Sequence, residues 1–240
     1  MLLRTYNCML FQQLQKTKAR IPALRQSNGQ VDTGWYDREY FEGTHKSNWG
    51  MVYDWENFGG VFEQWATFFT YGFPESRKFL DVGCGRGLLV RAGEELKAWS
   101  KLQFQIEGFD GSAFAIENCD PKAKPFVQCA ALDDYTFDKD YDVMLCMDVF
   151  GHLTEAQACN WLLRSRKHIK DRGFFIIELN EPHQRAEPSH INLRSRRYWH
   201  KMFLRCGWRQ DYETKYMQWL AAQDFFTNQS KVRMFIYQAN

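Results

Sequence analysis

The chemistry-bearing stretch of this chain is Asp81-Val82-Gly83-Cys84-Gly85-Arg86-Gly87, set between the apolar pair Phe79-Leu80 and the run Leu88-Leu89-Val90. An apolar run ending in an acid, then glycines at alternate positions, then an amphipathic run, reads as strand, tight loop and helix. Glycine serves where a backbone takes positive φ or approaches a ligand closely. The unpaired amides that open the following helix favour electron-rich groups. Leu88 stands where a dinucleotide fingerprint would carry its third glycine, and Asp81 suits a ligand bearing an ammonium better than a pyrophosphate. A plain strand-to-helix turn is the competing reading of the loop taken alone.

A second acid narrows the choice. Phe104 to Asp110 reads as a short strand, and Ser112 caps a helix through Ala113-Phe114-Ala115-Ile116-Glu117. In a doubly wound sheet, an acid at the tip of the second strand lies beside the first glycine loop and accepts ribose hydroxyls. The separation of Gly87 and Asp110 fits the spacing of about 20 residues for that pairing.

With both motifs the chain resembles the class I S-adenosylmethionine-dependent methyltransferases, in particular the type 11/type 23-like group. Asp81, Gly83, Gly85 and Gly87 match the family's acid-x-G-x-G-x-G motif, and Ile106 to Ser112 match its second motif. The resemblance implies S-adenosyl-L-methionine as cofactor. Its methionine end would lie over Asp81, Gly83, Cys84, Gly85 and Gly87, and its ribose on Asp110. Its adenine would lie between Phe109 or Gly111 and the Ala131-Leu132 turn, with Met147 and Asp148 closing the site. Ala130 stands where the family often has an acid for the adenine amino group; Asp133 or backbone groups would replace it.

The acceptor side is read from the fourth and fifth strand ends. Tyr141 to Asp148 followed by Val149-Phe150-Gly151-His152 resembles the family's fourth motif, with Phe150-Gly151 in place of Leu-Glu and His152 retained. No Asn/Asp-Pro-Pro-aromatic tetrapeptide occurs there, which argues against a nucleobase acceptor. His190 begins a His-Ile-Asn-x-x-Ser-x-x-x-Trp pattern also found in the group. A hydroxyl acceptor needs a general base near neutral pH, and His152 and His190 are the candidates. Tyr40, Tyr53, Trp55, Glu178 and His183 are candidate acceptor contacts. Relatives of this pattern modify sugars, glycans or small metabolites, so the resemblance implies a small-molecule or glycan acceptor. Two alternatives remain: N-methylation of a protein or small amine, and a non-catalytic cofactor-binding partner subunit.

These residues call for a doubly wound α/β sheet, and the resemblance implies its Rossmann-like seven-stranded form, with order 3-2-1-4-5-7-6 and an antiparallel last strand. The sequence gives strands at Pro125 to Leu132, Tyr141 to Asp148, Phe174 to Asn180, Gln210 to Tyr216 and Val232 to Tyr237 after the first two. Glu178 within the fifth requires a partner, an arginine or a lid hydroxyl. Residues 32–74 form an aromatic helical cap, either a hydrophobic plug or a lid over the cofactor, and residues 75–240 the methyltransferase domain. Residues 1–31 carry five Lys/Arg and no acid, and read as a solvated or partner-docking extension, with targeting as the alternative.

Composition agrees with one packed α/β domain: 45% hydrophobic and 17% aromatic residues, with a net charge of +2 that leaves no electrostatic footprint for nucleic acid. No apolar run reaches the roughly 20 residues that span a bilayer. Seven cysteines are scattered without zinc spacing; Cys84, Cys129 and Cys146, on or beside apolar strand runs, read as buried free thiols, a reducing cytoplasm fits, and no metal is called for. His168, beside the cations at the end of a helix, reads as structural.

Overall fold

The computed structural model describes residues 29–44, 52–179, 189–211, 214–215 and 234–239. Nearly all of the basic leader and His183 lie outside the described residues.

Strands β1 (Lys78–Val82), β2 (Gln105–Asp110), β3 (Val127–Cys129), β4 (Tyr141–Met147), β5 (Ile169–Glu178), β6 (Trp208–Arg209) and β7 (Met234–Ala239) form one seven-stranded sheet in the order β3-β2-β1-β4-β5-β7-β6. β3 through β5 run parallel, and β7 pairs antiparallel with β5 and with β6. This is the expected Rossmann-like topology. The helices are α1 (Arg38–Phe41), α2 (Trp55–Gly72), α3 (Leu88–Ser100), α4 (Ala113–Glu117), α5 (Glu155–Arg166) and α6 (Arg196–Arg205).

The period of two along each strand sorts side chains between two cores. Phe79, Ile106, Val143, Leu145 and Ile176 face one cluster with Phe62, Trp65 and Phe69 of α2 and Leu88 to Ala92 of α3. Leu80, Val82, Phe109, Met144, Phe175 and Ile177 face the other, with Trp161 and Leu162 of α5 and Trp199 and Phe203 of α6. The cap helix α2 therefore shares its core with the sheet. Asp54 starts it by accepting the Asn57 N–H, and Phe62, Trp65 and Phe69 follow at helical spacing. Each such aromatic contributes about 1.5–3 kcal/mol when fully buried. Continuing the same period, Asp81, Met147 and Glu178 fall on the α2 side at the carboxyl ends of their strands, which is where ligands meet open α/β sheets.

Four strands differ in their limits from those expected. β3 is confined to Val127–Cys129 because Lys124-Pro125-Phe126 forms a 3₁₀ turn, where proline's missing N–H is harmless. β5 begins at Ile169, absorbing Asp171-Arg172-Gly173 through a register shift against β4 and a left-handed Arg172 (φ 65°). The sixth strand is Trp208–Arg209, not Gln210 to Tyr216. Gln210 and Asp211 lie outside any strand, Asp211 accepts the Thr214 N–H at 3.0 Å, and residues 212, 213 and 216 lie outside the described residues. The seventh strand runs from Met234 to Ala239, two residues beyond the expected Tyr237.

Candidate active site

The glycine loop is held by the neighbouring strand tip. Gly83 and Cys84 donate their N–H groups to the Phe109 carbonyl at 2.9 and 3.0 Å, and Gly85 donates to Asp110 Oδ2 at 2.8 Å. Gly83 has φ +74°, and a Cβ there would lie 2.4 Å from Val149 Cγ2. Gly85 has φ +53°, with the Tyr53 ring 3.1 Å from where its Cβ would be. Neither position admits a side chain without strain. Gly87, also left-handed, opens α3.

Asp110 lies at the end of β2, and its Oδ1 accepts the Ser112 N–H at 2.8 Å. Burial raises its pKa, while these two backbone donors oppose the rise. Asp81 is 3% exposed, and burial, followed by the charge of Asp110, raises its pKa to about 8. A buried carboxylate so disfavoured is suited to a cation. Asp81 lines a cavity of about 250 Å³ together with Cys84, Met147, Asp148, Glu178 and the cap residues Tyr53, Phe62 and Trp65. Burial, with Asp81 second, pushes the Tyr53 phenol up, so it stays protonated.

Across the cavity, the turn after β4 carries the acceptor-side candidates. Asp148 adopts φ 56°, a left-handed conformation uncommon outside glycine. His152 ends a 3₁₀ turn, Phe150–His152. Ile191 and Asn192 both donate N–H groups to the Gly151 carbonyl, at 2.8 and 2.9 Å. That clamp brings His190 beside His152, with ring centroids 4.6 Å apart, and sets His190 Nε2 at 3.6 Å from Asp148 Oδ1. Ser189 Oγ lies 2.8 Å from His152 Nδ1. One ligand atom from each of Asp148, His152 and His190 falls within 4.8 Å of the others.

Not every expected residue comes to this site. The Phe109 side chain is fully buried in the α5-side core, stacked on Tyr135 at 3.9 Å, so only its carbonyl serves the loop. Cys84 borders the cavity while its side chain also packs toward Gly108, whose Cβ would lie 2.7 Å from Cys84 Cβ. Gly111 abuts Ala131, consistent with one wall for an adenine. The Asp133 carboxylate accepts from Gln157 and Asn160 of α5, which commits it to that helix. Arg164 donates to the Leu132 carbonyl. Trp55 lies outside the cavity, beneath the Arg91 guanidinium at 3.7 Å, in a groove with Arg86 and Asp120. Glu178 is 6% exposed in the cavity wall, and its backbone pairs with Met147. Tyr40 sits on α1, edge-on to Tyr36 and Phe41. His168 stacks on Phe137 at 4.4 Å, 3.7 Å from Asp140, in a structural setting.

Four contributors had no signal in the sequence: Tyr36, edge-on to His152 at 5.5 Å; Ser189; Thr33, against Gly111; and Val149, against Gly83. All four owe their role to partners distant in the chain.

A mixed sheet of this order, with β7 antiparallel, an acid-and-glycine loop after β1 and an acid at the tip of β2, defines a class I S-adenosylmethionine-dependent methyltransferase fold. Residues 56–229 match the model of the methyltransferase domain family type 23, and the chain belongs to that family. Its cofactor is S-adenosyl-L-methionine. Among curated relatives, the ubiquinone biosynthesis O-methyltransferases of Rickettsia conorii and Rickettsia akari are each 36% identical over 104 residues. That segment is 42% of this chain and 34% and 39% of theirs, so the match spans well under half of those proteins. Among solved structures, the S-adenosylmethionine-bound amino pentose methyltransferase CalS10 of Micromonospora echinaspora superposes with a TM-score of 0.54 at 12% identity. The superposition covers 78% of this chain and 92% of that one. A TehB-like methyltransferase of Corynebacterium glutamicum gives 0.53 at 16% identity, covering 78% and 94%. Among the described residues, no helix is long and apolar enough to cross a membrane.

Proposed function

We propose that this chain transfers the methyl group of S-adenosyl-L-methionine to a hydroxyl oxygen of a small-molecule acceptor, a sugar or glycan hydroxyl first among them. The observation that carries this reading is the Asp148–His152–His190 cluster, at the carboxyl edge of β4 and beside the Asp81 cavity. In the reaction an oxygen lone pair forms the O–CH₃ bond as the S–CH₃ bond breaks. The bonding pair goes to sulfur, and S-adenosylhomocysteine leaves neutral at that atom. Alignment of donor and acceptor supplies up to about 7–11 kcal/mol of such a barrier. The hydroxyl proton is the remaining task, and imidazoles beside a carboxylate suit it. The names of the Rickettsia relatives support an oxygen acceptor, and CalS10 supports a sugar. Asp81, Gly83, Gly85, Gly87, Asp110, Gly111, Ala131, Met147 and Asp148 hold the cofactor in this reading, and Tyr40, Tyr53 and Glu178 face the acceptor.

The test is mass-spectrometric detection of methylated products from a panel of sugars, phenols and matched amines, with labelled methyl donor. Labelled methyl ethers are expected. Label confined to amine nitrogens would replace this reading with N-methylation.

A further inference from the structure

We propose that Asp148, His152 and His190 form the binding site of one divalent cation of the zinc, manganese or iron(II) class, on which the acceptor hydroxyl is held. The role toward the hydroxyl rests on the function proposed above; the cation site itself rests on geometry. Two imidazoles and one carboxylate are a ligand set that occupies one side of a metal ion and leaves positions open. Imidazole nitrogen selects borderline ions over magnesium and calcium, which prefer oxygen ligands.

The ligand atoms already lie within 4.8 Å of one another, and His190 Nε2 is 3.6 Å from Asp148 Oδ1. A cation bound at about 2.0–2.2 Å needs neighbouring ligands roughly 3–3.4 Å apart. Rotamer adjustments of about an ångström close that gap.

Three further features hold the arrangement. Asp148 sits in the left-handed region at φ 56°, a conformation that persists where the surroundings enforce it and that clusters at functional sites. The Gly151 carbonyl receives two amides from the His190 loop, which fixes the two histidines together without using either ring. Buried Ser189 contacts His152 Nδ1 at 2.8 Å, the kind of outer partner that sets the tautomer of a ligand imidazole. A cation here would acidify a coordinated hydroxyl, as it does a bound water. The O–H proton would then pass to solvent before the oxygen takes the methyl group.

The experiment uses the full chain, stripped with a chelator and dialysed, then titrated calorimetrically with Zn²⁺, Mn²⁺ and Mg²⁺. Co²⁺, whose visible absorption reports its ligands, serves as a second probe. One equivalent of Zn²⁺ or Mn²⁺ is expected, with Mg²⁺ at least tenfold weaker. Asp148→Asn and His190→Ala should each weaken binding 100-fold or more, and Ser189→Ala 10- to 100-fold. Asparagine tolerates the left-handed backbone at position 148, so that variant is expected to fold. A retained cofactor-induced rise in Tm in His190→Ala verifies its fold. Absence of stoichiometric binding, or binding that these variants leave unchanged, overturns the proposal. If the chelated protein methylates a hydroxyl at its full rate, the cation proposal falls and the hydroxyl reading stands. If the cation binds as described and no hydroxyl is methylated, the cation site stands and the hydroxyl reading falls.

Discussion

Asp110 Oδ2 accepts the Gly85 N–H at 2.8 Å across a separation of 25 residues, while Oδ1 accepts the Ser112 N–H at the same distance. One carboxylate thus shapes the glycine loop, holds the backbone of Ser112, the residue that caps the next helix, and keeps further lone pairs for a ribose. Removing it takes away charge-assisted bonds worth about 1.5–3 kcal/mol each, partly replaced by water. Asp110→Ala should weaken S-adenosylmethionine binding about 30-fold or more, near 2 kcal/mol. Asp110→Asn, which keeps one acceptor oxygen, should fall between. Calorimetry showing wild-type affinity in folded Asp110→Ala would remove the ribose assignment.

Asp81 gives a pH signature. Its pKa is raised to about 8 by burial and then by Asp110, against about 3.9 in an unfolded chain. Between those values the native state holds a proton that the unfolded state has lost, so this group's contribution to stability declines as pH rises from about 4 to 8 and is flat above. An ammonium bound at Asp81 needs the carboxylate, so cofactor affinity should rise with pH by up to tenfold per unit until about 8. Calorimetry in buffers of different ionisation enthalpy should count a released proton in the wild type that is missing in Asp81→Asn. Equal proton counts in the two proteins would contradict the assignment.

Gly85→Val introduces a side chain at φ +53°, pressed against the Tyr53 ring. The sheet core lies elsewhere and should stay folded. The expected outcome is loss of the cofactor-induced rise in Tm, read by thermal shift. A rise of wild-type size would mean that the cofactor does not approach this loop.

His152→Gln and His190→Gln should each lower kcat by about 10²–10⁴, while cofactor affinity stays near wild type. This holds whether the cluster takes the proton directly or through a bound cation. Wild-type kcat and pH profile in both variants would exclude the cluster from the chemistry and favour methylation of an amine.

The glycine loop, Asp110 and the doubly wound parallel core are legible because each depends on local pattern: alternate glycines, an acid at a strand tip, apolar runs at βαβ spacing; the full strand order comes with the family resemblance. Phe109 was assigned to the cofactor although the period of two along β2 opposes it to Asp110 and turns it to the α5-side core. The sixth strand ends at Arg209 although the composition of residues 210–216 reads as extended, because composition does not show that the Asp211 side chain accepts the Thr214 N–H. The histidine cluster was seen only as two separate bases. Nothing in the sequence states that the amides of residues 191 and 192 reach the Gly151 carbonyl, and it is this clamp that makes one site of them.

The cap is pinned to the cofactor half at several points. Ser112 Oγ donates to the Tyr36 carbonyl, Thr33 abuts Gly111, Arg86 donates to the Tyr53 carbonyl at 3.2 Å, and the Tyr53 ring covers Gly85. The same segment presents the Tyr36 ring to His152. Displacing it would also carry the Tyr36 ring away from His152. Turnover is therefore expected to follow a compulsory order, with donor first and acceptor second, and the spent nucleoside leaving last. S-adenosylhomocysteine should then inhibit competitively against S-adenosylmethionine, and the methylated product noncompetitively. A random-order inhibition pattern would show that the cap does not gate both ligands.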